Sequence, residues 1–596
     1  MHCCRMGRAP CDMDDGRLAV KLHCTGDSRM DPEHAVLFNQ IAVDIRESFT
    51  DLIDSISKQN GGSLDWWVSS PASRNTFVSP LFHYCCCLAL LQELIRANEH
   101  VAEITTDSRA FKKIIENYLS KQGVSARAIL ARVPVEQRLK ELVRPIHTLF
   151  GLPLKQLFLF LAAKLTRSLR NPLPSGPLTL IDTFIMNGYI EKDRYYPGVL
   201  DALSEKEKQH VWIVPHLYGF QAWQYMSIVK RLRKSEINFI LKDDYLKFGD
   251  YWCLWRHLFR VRKLRIRPSL FCGVDISLLV REELTGFRGV SSSHTSLLNY
   301  RFAERLGEAD VRLRLVIDWF ENQSIDKGWN AGFRRFFPEV ETIGYQGFIV
   351  SSHYLCMYPT KEERNSKVIP HKVAVIGRGL VRSARRFCAD LNVCVAPAIR
   401  FQHVWEKRKH LPASNVYTIL VALPMMMSDA VHMLRLLDRT ADEKTAGVRF
   451  WIKPHPAVSQ SRIQIAFSEE WPKRFEFTGG DFGDCVEKSN LLISSASSAC
   501  METLAKGIPV IVVGNNSGLT HNPMPGAITS DIWRLCYSSE EIERAIQLYR
   551  SSSPEKIEEY TEVGREIRQE YFEPVTDEGV REFLGIADHA HERNAK

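Results

Sequence analysis

The sequence predicts an α/β fold built from two doubly wound, Rossmann-like halves. Three observations carry that expectation. Short runs rich in Val, Ile and Leu alternate with segments of helical apolar spacing in both halves of the chain. Several of these runs close on small polar clusters, as parallel strands do when their carboxyl ends carry a site. Finally, 596 residues with 45% apolar and 25% charged content suit two or three globular domains and exclude a mainly disordered chain.

Charge adds little to the class. With 78 basic and 70 acidic residues the net charge is +8, too mild over this length to argue for nucleic acid. No uninterrupted apolar run reaches 18 residues. The nearest, 157–165, is flanked by Lys155, Lys164 and Arg167 and is expected to be a buried or interfacial helix, not a membrane span. Cys85, Cys86 and Cys87 fall inside an apolar helical pattern and read as small hydrophobes of a reduced compartment. Residues 1–35 hold Cys3, Cys4, Cys11 and Cys24 without Cys-x-x-Cys spacing or a signal-type apolar core. They are expected to be a disordered tail, or a translational extension, without a zinc site.

Along the chain, apolar spacing predicts an opening helix over 34–60. Trp66, Trp67 and Val68 read as a first strand, followed by a polar loop with Arg74 and Asn75 and a helix over 81–95. Residues 101–170 mix short strands with cationic amphipathic helices. Further strands are expected at 178–184, ending on Asp182 and Thr183, and at 211–215, 238–241 and 313–317, the last leading into Glu321, Asn322 and Gln323. Those at 342–350, 373–376 and 393–397 complete a first domain over 36–400. The second domain, 401–575, repeats the scheme with strands at 416–423, 449–452, 491–493 and 510–513, leaving 576–596 as a tail.

One stretch between these strands is unusually cationic. Residues 252–267 contain Arg256, Arg260, Arg262, Lys263, Arg265 and Arg267 with no acid, interleaved with Trp252, Trp255 and Phe259. Such a segment can contact an anionic membrane surface; the competing reading is a solvated basic face over a core helix. Nucleic acid is the least favoured partner, because no binding module accompanies the cations.

The second domain carries the clearest chemistry. Ser494, Ser495, Ser497 and Ser498 follow a strand and open a helix, where hydroxyls and unpaired N–H groups suit a phosphate; a single serine would suffice for a cap. Glu502, one turn on, is placed to accept ribose hydroxyls. Lys453 and His455 close the preceding strand, with Pro454 and Pro456 fixing the turn, and can neutralise and hydrogen-bond a leaving phosphate.

Lys-Pro-His-Pro at 453–456, Ser-Ser-Ala-Ser-Ser at 494–498, Glu502 and Gly-Ile-Pro-Val-Ile at 507–511 together resemble the nucleotide-sugar half of GT-B glycosyltransferases, more narrowly the sialyltransferase-like and capsule-type enzymes that use CMP-activated acidic sugars. Asp182-Thr183-Phe184, Asp193-Arg194-Tyr195-Tyr196-Pro197, Trp319 to Gln323 and Gly344-Tyr345-Gln346-Gly347 resemble the surface-carbohydrate biosynthesis group. The resemblance implies a GT-B fold, phosphate contacts from His455, Ser497 and Ser498, and ribose contacts from Glu502. It also implies a nucleotide-sugar donor as substrate, a glycan or lipid-linked acceptor, and no metal or other cofactor for chemistry. The sequence's Asp-x-Asp, Asp12 and Asp14, lies in the tail, and Gly377-Arg378-Gly379 lacks the third glycine of a dinucleotide fingerprint.

An acceptor-side base is expected from the first domain, with Glu321 first, Asp193 second and Asp182 third. Arg74, Asn75, Asp182, Asn322 and Gln323 are candidate sugar or acceptor contacts. The expectation is therefore a cytoplasmic sugar transferase working at the inner membrane face. A CDP-alcohol phosphotransferase of similar fold and a non-catalytic assembly protein are the alternatives.

Overall fold

The computed structural model describes residues 13–14, 17–18, 20–25, 29–131, 135–186, 188–190, 193–406, 416–441, 447–468, 470–495 and 497–586. Cys3, Cys4, Cys11, Asp12 and Ala496 lie outside them, as do residues 407–415 and the last ten residues.

Two six-stranded sheets, each fully parallel, form the body of the protein. In the first, the spatial order is Val211–Leu217, Leu178–Ile185, Leu313–Trp319, Glu341–Gln346, Lys372–Val375 and Val393–Val395. The winding direction therefore reverses between Leu178–Ile185 and Leu313–Trp319. In the second, the order is Phe475–Phe477, Val448–Lys453, Tyr417–Ala422, Leu491–Ser494, Val510–Val513 and Trp533–Cys536. Its reversal falls between Tyr417–Ala422 and Leu491–Ser494. At each reversal the loops leave in opposite directions and open a crevice at the strands' carboxyl ends. Helices cover both faces of such sheets, so their strands read as unbroken apolar runs, as in the fully buried Val510–Val513.

The predicted strands over 178–184, 313–317, 416–423, 491–493 and 510–513 are thus present with small boundary shifts. Phe475–Phe477 and Trp533–Cys536 were not expected, being short and partly exposed edge strands. Asn238 to Leu241 yields only a single bridge, Ile213 to Phe239.

The first 35 residues are not structureless. Val20–Cys24 pairs in parallel with Val101–Thr106, which pairs with Arg127–Leu130, giving a third small sheet. Helices Pro32–Asp44, Arg46–Asn60, Leu81–Arg96 and Arg109–Gln122 pack with it around Leu22, Phe38, Phe49, Phe82 and the three adjacent cysteines. Trp66 and Trp67 belong to a short helix, Leu64–Trp67, and not to a strand. Their indole N–H groups donate to Ser57 Oγ and the Gly61 carbonyl, both at 2.9 Å, so both rings are buried without an orphaned donor.

Nor is the stretch after 575 a free tail in its described part. Helix Pro554–Tyr571 leads back to the first sheet, where Glu573 N–H donates to the Ile376 carbonyl (2.6 Å) and Ala398 N–H to the Glu573 carbonyl (2.9 Å). Helix Asp577–Phe583 follows it, with Arg581 paired to Glu207 at 2.7 Å and Phe583 against Tyr345. The returning chain ties the two halves together and completes a GT-B architecture.

This crossover also explains Gly377 and Gly379. A Cβ on Gly377 would sit 2.3 Å from the Tyr571 carbonyl carbon, and one on Gly379 2.7 Å from the Tyr571 ring. The glycines admit the returning helix; they do not cradle a phosphate. Gly377→Ala is expected to loosen this crossing at a cost of about 1–3 kcal/mol, seen as faster amide exchange over 565–585 while the second sheet's core amides keep their protection.

Candidate active site

The candidate residues gather at the carboxyl ends of the two sheets, where charges of one domain act on groups of the other. From the first domain, Asp193 organises the loop after Leu178–Ile185: its Oδ1 accepts from Tyr195 N–H (2.7 Å), Tyr196 N–H (3.0 Å) and Thr183 Oγ1 (3.2 Å). With one oxygen so occupied and the group largely buried, its carboxyl is pushed above the usual range, burial outweighing these bonds. Asp193 is thereby a loop-holding residue; beside it Tyr195 packs on Phe184 and Trp319, and Arg194 lies over the Tyr189 ring. The Arg194 charge is felt at His455, where burial first and Arg194 second lower the imidazole to about 4.

Arg400, at the exit of the first domain, lies over the rings of Trp319 (5.6 Å), Phe401 (5.7 Å) and Tyr195 (5.9 Å). Burial is the main cause of its lowered pKa; Glu502 opposes that effect and Arg194 adds to it, so these charges share one neighbourhood. Glu502 Oε2 meets His403 Nε2 at 3.1 Å.

On the second domain, His455 Nδ1 accepts from Ala457 N–H at 3.1 Å. A neutral ring so held carries its proton on Nε2, leaving that N–H free to donate. Lys453 Nζ is engaged with the Gly480 carbonyl at 2.6 Å. Ser494 does not face the cleft: it is fully buried and its Oγ donates to the Ala422 carbonyl (2.9 Å), tying the two strands at the winding reversal. Ser497 Oγ accepts from Ala499 N–H at 3.2 Å as a local cap, and Ser498 holds the first carbonyl of the same turn.

Beside these residues a small cavity opens at the carboxyl ends of Tyr417–Ala422, Leu491–Ser494 and Val510–Val513. Asp429, His432, Ser495, Asn515, Thr520 and His521 line it. Three of its polar atoms, His432 Nε2, Ser495 Oγ and His521 Nδ1, are buried without a hydrogen-bond partner among the described residues. Unmet groups of this kind converging on one cavity mark a place where a polar ligand would be satisfied. Burial lowers His432 to about 4 and His521 to about 3, so both offer neutral donors and acceptors at pH 7. His521 stacks on Phe77 of the N-terminal unit with ring centroids 4.1 Å apart, and the Thr520 carbonyl contacts His353 Nδ1 at 3.1 Å.

Glu321 lies part-buried just past the end of Leu313–Trp319. Its oxygens accept from Trp319 Nε1 (3.0 Å), Tyr354 OH (3.0 Å) and Gln323 Nε2. Gln323 also donates to Tyr354 OH at 2.8 Å, so it orients Glu321 from the side. The other first-domain candidates lie in the interior. Asp182 accepts from Trp319 N–H (2.6 Å) and His216 Nε2 (2.9 Å), and Lys242 Nζ stands 3.0 Å behind His216. Arg74 is 2% exposed and bonded to Glu363 and to the Leu355 and Tyr358 carbonyls. Asn322 donates to the Cys356 carbonyl and to the same Glu363, while Asn75 Oδ1 caps Phe77 N–H. Buried and satisfied, Arg74, Asn75, Asp182 and Asn322 hold the scaffold and are not contacts for an acceptor.

Arg400, His432, Asn515 and His521 were not among the site residues expected from sequence. Their only signal is position, two to ten residues past strand ends. Among the described residues no group of three or more His, Cys, Asp or Glu side chains is placed to hold a metal ion.

No family model matches the chain, and no curated protein matches it. Solved structures do. A glycosyltransferase of Rickettsia africae is 13% identical with a TM-score of 0.39, covering 69% of this chain and 98% of its own. Trehalose 6-phosphate synthase of Burkholderia multivorans is 8% identical with a TM-score of 0.40, covering 71% and 100%. UDP-GlcNAc 2-epimerase of Neisseria meningitidis, solved with UDP-GlcNAc, is 12% identical with a TM-score of 0.38, covering 69% and 99%.

Proposed function

We propose that the protein is a glycosyltransferase that moves a sugar from a nucleotide donor, CMP-linked and acidic, to a glycan or lipid-linked acceptor. What supports this reading is that the Arg194 charge acts on both His455 and Arg400, close to the carboxyl ends of the two sheets, while the His455 Nε2–H has no partner among the described residues. Two guanidinium groups and a neutral N–H donor suit a phosphate that gains charge as the glycosidic bond breaks. The second arginine would also suit the carboxylate of an acidic sugar. The neighbouring cavity, with its unmet Ser495, His432 and His521 atoms, would take polar groups of the donor.

In this mechanism the acceptor hydroxyl attacks the anomeric carbon and loses its proton to Glu321. The sugar–phosphate bond breaks, its electron pair passing to the phosphate oxygen, which His455 and the arginines stabilise. Tyr354, Gln323 and Trp319 hold Glu321 in one pose, which limits the reorientation needed during attack. Closure of the cleft would keep water from competing with the acceptor.

Calorimetric titration of the full chain with CMP, CDP, UDP and GDP tests the donor class. CMP is expected to bind and Arg400→Ala to weaken it at least tenfold. Binding of UDP alone would refute a CMP-linked donor, and binding of none would remove the nucleotide-dependent reading. Formation of a phosphodiester product would reassign the reaction to alcohol-phosphate transfer.

A further inference from the structure

A face of the first domain has no use in the sugar-transfer reading. Residues 142–165 form a continuous helical segment of 24 residues that contains an 18-residue stretch of mean hydropathy 1.4. It comprises the end of Val135–Ile146, a π turn over His147–Gly151 that accommodates the interior Pro145, and helix Leu152–Leu165. It was expected to be a short buried or interfacial helix. Only one side of it is buried: Leu152, Ala162 and Ala163 pack inward, and Ala162 and Ala163 share a cluster with Ile213, Tyr225 and Val229.

The outward side is apolar as well. Leu142, Ile146, Phe150, Leu154, Leu161 and Leu165 follow one another at helical spacing and all are exposed, Leu142, Phe150 and Leu165 to 71% each. This stripe is about 35 Å long and exceeds the scattered leucines of an ordinary surface. It does not end at the helix. Trp255 donates from Nε1 to Gln156 Oε1 (3.2 Å) and packs on Phe248 and Trp252, both about 60% exposed. On the other side the helix contacts Ala222–Gln224, whose Trp223 is 76% exposed.

The stretch that follows Trp255 is cationic. Arg256, Arg262, Lys263, Arg265 and Arg267 are exposed and make no ion pair among the described residues, whereas Arg260 is turned inward onto Asp65. Arg144 and Arg167 lie exposed on the helical segment itself and its extension. An apolar stripe, exposed tryptophans beside it and unpaired cations at its margins fit the acyl boundary, interface and anionic headgroups of a bilayer in turn. Spanning is excluded by the fold, since it would strip Leu152, Ala162 and Ala163 from the core.

We propose that this face docks the protein on an anionic lipid bilayer, with the 142–165 segment lying in the membrane plane and the basic 256–267 stretch on the headgroups. The apolar contact thus lies on this segment and not on the 252–267 stretch, whichever nucleotide the protein binds.

Flotation of the full chain with phosphatidylcholine vesicles, with and without about 30% phosphatidylglycerol, tests it at physiological salt. The protein is expected to float with the anionic vesicles only. Leu154→Gln/Leu161→Gln/Leu165→Gln should weaken partitioning by about a hundredfold or more, and Arg262→Glu/Lys263→Glu/Arg265→Glu by a similar factor. Ile465→Gln, an exposed apolar site on the second domain, should leave it unchanged. Circular dichroism of each variant checks that the fold is retained. Failure of the wild type to float, or equal flotation of the leucine variant, would overturn the proposal. So would a wild-type dimer in lipid-free sedimentation that the leucine substitutions dissociate, since the face would then belong to a second copy.

Discussion

His455→Ala is expected to lower turnover by about 10²–10³-fold, the effect of deleting one donor aimed at developing oxyanion charge. The loss should fall mainly on kcat, because the Nε2–H bond strengthens as the phosphate oxygen gains charge, while Arg194 and Arg400 still bind the ground-state donor. His455→Gln, which keeps an N–H of similar reach, should recover part of it. The pH profile offers a separate check. His455 titrates near 4, because burial and the Arg194 charge both disfavour its protonated form. Activity limited by this residue should thus be flat from pH 8 down to about 5 and show no inflection near 6.5. An inflection there that vanishes in His455→Gln would mean that the ring works as an imidazolium and that its assigned tautomer is wrong. Steady-state rates for donor consumption in the three proteins, over the same pH range, decide among these outcomes.

What was legible in the sequence follows from what a strand imposes locally. A parallel strand covered on both faces must be continuously apolar, so Val510–Val513 and Leu491–Ser494 announce themselves, and the polar residues that close them fall at the carboxyl end of the sheet. The Lys453 and His455 turn was found in that way. Side-chain direction was not visible. Ser494 and Ser495 are adjacent, yet one bridges two strands and the other lines the cavity, since successive side chains at a strand end point to opposite sides. Trp66 and Trp67 have the composition of a strand, and only their bonds to Ser57 and Gly61 show why a short helix was preferred. The helical period over 142–165 reveals an amphipathic element only when its two faces differ; here both are apolar.

Arg74 and Asn322 failed as acceptor contacts for a related reason, and they lead to the largest stability effect expected in the molecule. Their common partner, Glu363, is 289 and 41 residues away in sequence. Glu363 is 1% exposed and accepts from Arg74 (3.0 Å), Lys327 (2.6 Å), Asn322 (3.0 Å) and the Thr360 N–H (2.8 Å). Burial alone would raise its carboxyl; Arg74, then Lys327, then the hydrogen bonds outweigh that and hold it at about 2. Glu363→Gln would leave two buried cations facing a neutral amide, at a cost of about 3–5 kcal/mol. Glu362→Gln removes only a 3.8 Å pair with the exposed Lys58 and should cost under about 1 kcal/mol. The pH dependence has a definite sign. A carboxyl with a depressed folded pKa contributes its full stability above the unfolded value near 4.5 and loses it as pH falls toward 2. Urea unfolding should therefore show a wide gap between wild type and Glu363→Gln at pH 7, and a gap that narrows steadily below pH 4.5. If Glu363→Gln and Glu362→Gln unfolded alike at pH 7, the buried cluster would not be what anchors the N-terminal unit to the first sheet.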